Sequence, residues 1–237
     1  MNTSPLISIV IRTKNEEVWL KKVIDKFKNQ TYKNIEIIIV DSGSTDKTLE
    51  IISSYKDIHL IQIKPDEFNY SYALNLGIKS AKGKYIGIFS GHSLPFCFDM
   101  LAKSIILLES DIKVAGVTGH YFSLPDDTIT NQFFSYVGYL QKPSIEHCNK
   151  YMTNTNSLIR KDLWEVYNFD ENLEDGCEDY DWACEMIARG YDIIKTKKLT
   201  VRHSHAHVQN SPTFKEQISG WQITMAKIDQ KVRSQKK

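Results

Sequence analysis

Runs of apolar residues alternate with amphipathic segments in the first part of the chain. The runs at 7–11, 35–40, 58–63 and 85–89 have the length of strands and are rich in β-branched side chains, which predicts four buried strands. Between the first two runs the apolar residues recur at helical spacing, at Val18, Leu20, Val23, Ile24 and Phe27. Strands that alternate with helices predict an α/β protein with a mostly parallel, Rossmann-like sheet and helices on both faces.

Short polar side chains mark the expected beginnings of the helices, because they accept hydrogen bonds from the first backbone N–H groups. Asn15 is expected to cap the first helix, and Ser44 or Thr45 is expected to cap a second one that reaches about Tyr55. After residue 93 the pattern is less regular. The remaining predicted helices are 72–81, 96–108 and 179–189, and the remaining predicted strands are 114–121, 153–160, 192–196 and 199–202.

Composition argues against several classes of protein. The chain has 237 residues and a formal net charge of +1, so the basic surface of a nucleic-acid-binding protein is not indicated. Its four cysteines form no C-x-x-C pair, which argues against a zinc ribbon and against a disulfide framework. No apolar run approaches the roughly 20 residues that span a bilayer, and no signal peptide is visible in the first residues. A cytoplasmic protein is expected.

A polar loop, 41–46 (DSGSTD), follows the second predicted strand. Ligands of parallel α/β sheets bind beyond the carboxyl ends of the strands. There the carboxylate of Asp41 can accept hydrogen bonds from a base or a ribose, and the turn at 42–44 offers N–H and hydroxyl groups to an anion. The loop alone is equally typical of an ordinary strand-to-helix turn, but the polar segment Arg12–Glu16 at the end of the first strand favours a nucleotide site.

An acidic segment, 176–182 (GCEDYDW), stands where a helix is predicted to begin. An acidic cluster downstream of a nucleotide site indicates transfer of a group from an activated donor. One carboxylate would then act as the general base that takes a proton from the attacking hydroxyl. The alternative is a helix amino-terminus that is rich in acids simply because the helix dipole favours them.

Four segments together resemble family 2 glycosyltransferases: Ser8–Glu16, Ile38–Thr48, Gly83–Ile86 and Asn168–Trp182. The resemblance covers nearly the whole chain, over about 6–207, and the order and spacing of the segments make it specific. It implies a single domain of the GT-A fold, a nucleotide-sugar donor and transfer with inversion at the anomeric carbon of the sugar.

The resemblance also assigns roles to residues. Asp41 is expected to contact the base or ribose, while Thr13, Asn15 and Glu16 form the wall of the pocket. The full donor-binding set that we expect is Arg12, Thr13, Asn15, Glu16, Asp41, Ser42 and Ser44.

In the second half, Asp179 matches the general base of the family. Glu178 and Asp181 are expected to orient the base or the acceptor. Trp182 is expected either to stack on an acceptor sugar, as aromatic faces do, or to belong to the hydrophobic core.

The chain departs from the family pattern at Ser90–Ser93 (SGHS). Most members carry an Asp-x-Asp motif here, which binds Mg²⁺ or Mn²⁺ against the donor diphosphate, whereas this loop has no acid. Aligned with members whose loop begins with Ser, His92 takes the metal-ligand position, where an imidazole suits Mn²⁺ better than Mg²⁺. Either His92 ligates such a metal, or the enzyme uses none and His92 donates a hydrogen bond to the diphosphate, aided by Arg12, Lys14 or Arg202.

Histidines alternate at His203, His205 and His207, so they would share one face of a strand. A zinc hydrolase is the rival interpretation, but the chain has no H-E-x-x-H segment. In the resembled family a histidine of this region completes the metal or diphosphate site. His203 is the first candidate for this role and His205 is the second.

These features predict one GT-A domain over 1–210, with a nucleotide-binding half at about 1–93 and an acceptor and catalytic half at about 94–210, followed by a basic helix at 211–237. The predicted function is transfer of a sugar from a nucleotide-sugar to a hydroxyl of a glycan or lipid-linked acceptor, in the synthesis of a bacterial surface polysaccharide. The alternative is a non-catalytic nucleotide-sugar-binding or scaffold protein with a degenerate metal site. The basic helix is expected either to pack on the domain or to touch the inner face of an anionic membrane.

Overall fold

The computed structural model describes residues 4–147, 149–173, 176–204 and 212–235. Nine strands in these ranges form one sheet. The strands are β1 (Ile7–Thr13), β2 (Ile35–Asp41), β3 (Ile58–Gln62), β4 (Tyr85–Ser90), β5 (Leu94–Pro95), β6 (Val114–Phe122), β7 (Ile145–Glu146), β8 (Asn156–Arg160) and β9 (Asp192–Arg202). The helices are α1 (Leu20–Lys28), α2 (Thr48–Ser53), α3 (Tyr70–Ser80), α4 (Met100–Glu109), α5 (Ile129–Gln141), α6 (Lys161–Val166), α7 (Glu178–Ala188) and α8 (Pro212–Gln235).

The strand order is β3-β2-β1-β4-β8-β6-β9-β5, and β7 pairs with β9. β1 is parallel to β2 and β4, and β2 is parallel to β3. β8 runs antiparallel to both of its neighbours, β4 and β6, whereas β6 and β9 are parallel. The carboxyl ends of β1, β4, β6 and β9 therefore meet the amino end of β8 at one edge of the sheet.

The side chains of β1 enter two cores on opposite faces of the sheet, because successive residues of a strand point to opposite sides. Ile9 and Ile11 pack with Leu20 of α1. Val10 packs on the other face with Leu74 of α3. All of these side chains are completely buried, which confirms the prediction of a sheet covered on both faces.

Both predicted helix caps are wrong. Asn15 adopts a φ of +54°, and α1 begins only at Leu20. Val18, which was expected to face the core, is 60% exposed. Likewise α2 begins at Thr48, after both of its predicted cap residues. The physical reason is that the two loops bond to each other, since the side-chain oxygen of Asn15 accepts a hydrogen bond from the N–H of Thr45 (2.8 Å).

The second half of the chain differs more from its prediction. Helices α5 and α6 lie where the pattern predicts none. The two short strands predicted at 192–196 and 199–202 form the single strand β9, whose pairing with β6 changes register between Gly119 and Tyr121. A change of register shifts the alternation of buried and exposed side chains, so the pattern indicated two strands where there is one.

Gly77 of α3 packs so closely on the sheet that a Cβ atom there would lie 2.5 Å from Cγ1 of Val10 and 3.1 Å from Cγ2 of Val40. We expect Gly77→Ala to lower the free energy of unfolding by about 1–3 kcal/mol, because stiff buried valines cannot move aside. Urea unfolding followed by circular dichroism measures this. Gly138→Ala in α5 is the matched control, since its Cβ would meet nothing within 4 Å and helix propensity favours alanine by about 1 kcal/mol. Equal stabilisation of both variants would contradict this packing.

Candidate functional site

A cleft of about 850 Å³ opens at the edge of the sheet where these strand ends meet. Its first wall is formed by the ends of β1, β2 and β4 and the loops that follow them, with Arg12, Thr13, Lys14, Glu16, Ser42, Ser90 and His92. Its second wall is formed by the segment before β8 and the start of α7, with Thr153, Asn154, Thr155, Glu178, Asp179 and Tyr180. His203 after β9 also lines it, as does Trp221 of α8. The cleft thus brings together residues predicted from distant parts of the chain.

Asp41 lies behind the first wall and is fully buried. One carboxylate oxygen accepts hydrogen bonds from the N–H groups of Gly43 (3.0 Å) and Ser44 (2.9 Å), and the other accepts one from the hydroxyl of Ser44. The turn also needs glycine, because Gly43 has a φ of +84° and a Cβ there would lie 2.6 Å from Cγ of Pro65. In the structure Asp41 holds the loop in shape, and its predicted contact with a base or ribose stays a prediction.

Asn15 and Ser44 join the loops after β1 and β2. The hydroxyl oxygen of Ser44 accepts a hydrogen bond from the N–H of Asn15 (2.9 Å). Asparagine tolerates the left-handed backbone that Asn15 adopts better than most residues do. Neither side chain is among those that line the cleft in the described part of the chain. They support the wall on which Glu16 and Ser42 lie.

Arg12, at the end of β1, connects the two walls. Its guanidinium lies 3.9 Å from Oε1 of Glu178 and 4.7 Å from the ring centroid of Tyr70. Among the described residues, its buried Nε–H has no hydrogen-bond partner, nor does the hydroxyl of neighbouring Thr13. Buried donors are almost always satisfied, so this part of the wall is prepared to donate hydrogen bonds to an anion or a sugar.

The start of α7 is aimed at the cleft by two residues with left-handed backbone. Gly176 has a φ of +90° and Cys177 has a φ of +70°. They turn the chain sharply, so that Glu178 and Asp179 open the helix with their carboxylates on the second wall. This local geometry explains why the acidic cluster reaches the cleft.

Asp179 is the predicted general base. Its Oδ2 accepts a hydrogen bond from the N–H of Asn154 (2.9 Å), and its Oδ1 accepts one from the N–H of Tyr180 (2.8 Å). Burial, together with the negative charge of Glu178, raises the pKa of Asp179 to about 7, although both N–H groups and Arg12 oppose the shift. A carboxylate with a pKa near the working pH is suited to accept a proton from an alcohol.

Glu178 holds the segment that carries this base. It is buried, and its Oε1 accepts a hydrogen bond from the side-chain amide of Asn154 (3.3 Å). The carbonyl of that amide accepts a hydrogen bond from the hydroxyl of Ser157 in β8 (3.0 Å). Glu178 thereby fixes Asn154, whose backbone N–H fixes Asp179.

The two histidines predicted for the diphosphate or metal position lie side by side. His92 and His203 are stacked with ring centroids 4.4 Å apart and planes inclined by 15°. Nδ1 of His92 lies 2.5 Å from Oε1 of Glu16, and Nδ1 of His203 lies 3.3 Å from the hydroxyl of Ser90. The third candidate, His205, lies outside the described residues.

The loop at Ser90–Ser93 does not fit a site for Mg²⁺, which takes oxygen ligands in octahedral geometry. His92 is the only imidazole or carboxylate of this loop, and it already bonds to Glu16. Within the described ranges, no three His, Cys, Asp or Glu side chains come together as a preformed metal site. Imidazole, hydroxyl and guanidinium groups around this part of the cleft fit a polyanion better.

Asp181 and Trp182, the residues expected to contact an acceptor, do not line the cleft in the described part of the chain, and Trp182 takes its alternative place in the core. Trp182 is completely buried in the core, and its indole N–H donates to the carbonyl of Tyr167 (3.0 Å). Asp181 is buried as well, with its carboxylate accepting a hydrogen bond from the hydroxyl of Tyr167 (2.8 Å). They follow Asp179 by only two and three residues, but the rotation of the helix turns their side chains away from the cleft. Trp164, the other tryptophan of this region, is also a core residue.

Several residues that line the cleft were missed by the sequence analysis, among them Tyr70 and Lys195. Tyr70 lies before the helix predicted at 72–81, so nothing in the sequence indicated that its ring would lie over the guanidinium of Arg12. Lys195 lies on β9 in an ordinary alternating strand, yet it lines the cleft and burial lowers its pKa. Their roles follow from strand order, which brings β9 beside β6, and a linear pattern does not contain that information.

The coupling around Asp179 can be tested by titration. We expect Glu178→Gln to lower the pKa of Asp179, because it removes a neighbouring negative charge. We expect Arg12→Met to raise that pKa, because it removes a positive charge. Carbon-13 NMR of the carboxyl groups measures both, with Glu185→Gln on the same helix as the control. The same titration curve in wild type and Glu178→Gln would refute the coupling.

Comparison with known proteins agrees with this geometry. The sequence profile described as Glycosyl transferase family 2 matches residues 8–167. The UDP-Glc:alpha-D-GlcNAc-diphosphoundecaprenol beta-1,3-glucosyltransferase WfaP of Escherichia coli is 30% identical over 218 residues, which are 90% of this chain and 83% of the relative. The O-antigen chain rhamnosyltransferase RfbN of Salmonella typhimurium is 26% identical over 208 residues, which are 84% of this chain and 66% of the relative.

A solved structure shares the fold. The mannosyltransferase PcManGT from Pyrobaculum calidifontis, determined with GDP-Man and Mn²⁺, superposes with a TM-score of 0.68 at 20% identity, over 89% of this chain and 59% of the other. This likeness confirms the expected GT-A fold. The chain spans just under two thirds of the rhamnosyltransferase and a little more than half of the mannosyltransferase. Since the family profile covers 160 of the 237 residues, this chain belongs to glycosyl transferase family 2.

Proposed function

We propose that this protein transfers a sugar from a nucleotide-sugar donor to a hydroxyl of a glycan or lipid-linked acceptor, with inversion at the anomeric carbon. The observation that carries the proposal is the carboxylate of Asp179, which lines the cleft and is held there by the N–H groups of Asn154 and Tyr180. The glucosyltransferase and rhamnosyltransferase relatives support a role in bacterial surface polysaccharide synthesis, and the name of the glucosyltransferase gives a lipid-diphosphate acceptor.

The donor would occupy the first wall. Arg12 and Thr13 offer buried donors without partners in the described residues, and Ser42 lies beside them. His92 and His203 lie further along the same side of the cleft, next to Ser90. We assign the diphosphate to this polar group, because guanidinium and imidazole N–H groups form strong hydrogen bonds with phosphate oxygens.

The reaction is a single displacement. The acceptor hydroxyl oxygen attacks the anomeric carbon while Asp179 takes its proton. The new carbon–oxygen bond forms as the bond to the diphosphate breaks, and the nucleoside diphosphate leaves with the electron pair. Arg12 and the two histidines stabilise the negative charge that develops on the leaving group.

The proposed site works without a divalent metal. The loop at Ser90–Ser93 has no carboxylate to offer Mg²⁺, which prefers oxygen ligands. The alternative, a non-catalytic nucleotide-sugar-binding protein, keeps the same first wall but gives no function to Asp179. For a zinc hydrolase, no cluster of three ligands in the described residues offers support.

Thermal unfolding in the presence of UDP, GDP, TDP or CMP tests the donor site. A nucleotide at a hundred times its dissociation constant stabilises by about 2.7 kcal/mol, and each kcal/mol moves the Tm of a domain this size by about 2–4 °C. We expect one nucleotide to raise the Tm in EDTA as much as in Mn²⁺, and Arg12→Met to reduce the shift. A shift confined to Mn²⁺ would make His92 a metal ligand. No shift with any nucleotide would remove the proposed donor site.

Replacement of the base tests the chemistry. With the donor found by thermal unfolding, we expect Asp179→Asn to slow transfer and donor hydrolysis by about 10²–10⁴-fold, while the nucleotide still raises the Tm. Glu185→Gln, which alters a carboxylate on the same helix paired with Arg189, is expected to keep activity. Transfer by Asp179→Asn near the wild-type rate would remove this residue from its role. Donor hydrolysis absent from the wild-type protein would favour the binding protein.

A further inference from the structure

Helix α5 has an unusual composition for a surface helix. It spans Ile129–Gln141 (ITNQFFSYVGYLQ) and contains no charged residue. The side chain of Thr128 caps it by accepting a hydrogen bond from the N–H of Asn131 (3.2 Å). All thirteen positions are described by the structure, and none of them is buried. One side of the helix is attached to the domain, where the hydroxyl of Ser135 accepts a hydrogen bond from the N–H of Ser123 (3.1 Å).

The other side of α5 carries large apolar side chains in solvent. Ile129 is 86% exposed, Phe133 62%, Phe134 67% and Leu140 54%; we call these four residues the α5 face. A helix of this length is marginal in water without packing. Apolar patches of this kind on a soluble domain mark sites of interaction.

The α5 face continues to the mouth of the cleft through aromatic contacts. Tyr136 packs on Phe122 with ring centroids 5.2 Å apart, and Phe122 packs on Phe96 at 5.0 Å. Phe122 and half-exposed Tyr121 line the cleft. Whatever covers the α5 face therefore lies beside the entrance to the proposed active site.

Lysines stand at the carboxyl end of the helix. Lys142 follows α5 directly and is exposed. The ammonium of Lys197 donates to the carbonyl of Leu140 (2.9 Å), and exposed Lys198 comes next. The acids before the helix are engaged within the chain, since Asp126 accepts a hydrogen bond from the indole of Trp19 (3.0 Å). The charge near the exposed end of α5 is therefore positive.

Aromatic and aliphatic side chains flanked by lysines suit a lipid interface, where the rings enter the headgroup boundary and the ammonium groups meet anionic phosphates. A protein partner would need directional hydrogen bonds at the interface. Two of the polar side chains of α5 are already engaged within the domain, because Asn131 and Gln132 donate to Asp127.

We propose that α5 docks this protein on an anionic lipid surface, with Phe133 and Phe134 in the interface and Lys142 and Lys198 against the headgroups. Lipid docking rests on the proposed function in one respect, because its purpose would be to bring the cleft to a lipid-linked acceptor. It replaces the expectation that the C-terminal helix makes the contact. Ile228 of that helix is buried against the domain. In the described ranges, no helix is both long and apolar enough to cross a bilayer.

Co-sedimentation of the full chain with vesicles tests the proposal. We expect binding to vesicles of phosphatidylcholine mixed with phosphatidylglycerol and much weaker binding to phosphatidylcholine alone. Phe133→Ser combined with Phe134→Ser should reduce the binding at least about tenfold, since each buried CH₂ group contributes about 0.8 kcal/mol. Lys142→Glu combined with Lys198→Glu should reduce it several-fold at low salt and much less at high salt. Ile223→Ser on α8, which removes a side chain that is 60% exposed, should leave it unchanged.

Three results would overturn the proposal. The first is wild-type protein that stays in solution with anionic vesicles. The second is a loss with Ile223→Ser equal to that of the phenylalanine variant, which would assign the contact to α8. The third is a dimer by light scattering that the phenylalanine variant dissociates while vesicle binding persists, which would assign the α5 face to a second copy of the chain.

Failure of this proposal differs from failure of the proposed function. The phenylalanine variant should keep the wild-type Tm, its nucleotide shift and its donor hydrolysis, because both side chains are exposed and neither lines the cleft. Loss of vesicle binding with those properties intact supports lipid docking. Vesicle binding by a wild-type protein that shows no nucleotide shift would leave α5 as a lipid-docking helix and remove the glycosyltransferase proposal.

Discussion

Two neighbouring carboxylates, Glu178 and Asp179, must lie side by side at the cleft, and the structure around them depends on how their repulsion is contained. Burial makes the repulsion stronger, because less water screens it. Asn154 offsets the repulsion with two hydrogen bonds. Its side-chain amide donates to Glu178, and its backbone N–H donates to Asp179. Arg12 adds a positive charge from the end of β1. The contact between Arg12 and Glu178 also joins the two walls of the cleft.

The fold could be predicted from sequence where burial follows a simple period. β1 to β4 are runs of β-branched residues, and the helices between them have one apolar side. The strands and helices of the first half were therefore predicted with few errors. The inverted strand β8 has the same composition as a parallel strand, and its direction is set by pairing with β4 and β6. Helix α5 gave no helical signal because its apolar residues lie on the exposed side and no charged side opposes them.

The site shows what a motif can locate and what it cannot. The segments around Arg12, His92 and Asp179 contained the residues that line the cleft, because each follows or begins an element at one edge of the sheet. Within α7 the motif could not separate Asp179 from Trp182, since helix rotation and depth decide which side chain reaches solvent. Asp41 illustrates a third outcome, in which a residue next to the cleft shapes the loop that forms the wall.

The raised pKa of Asp179 and the composition of the Ser90–Ser93 loop belong together under the proposed function. A divalent cation beside the donor would add two positive charges to the cleft and favour the ionised form of nearby carboxylates, which lowers their pKa. In the proposed site the imidazoles of His92 and His203 would meet the phosphate oxygens in place of a cation. A site that holds the diphosphate with His92, His203 and Arg12 thus stabilises the leaving group while it leaves the base near neutral pKa. Under the proposed function, histidine in place of the family's acids would meet the charge of the diphosphate without a cation beside Asp179.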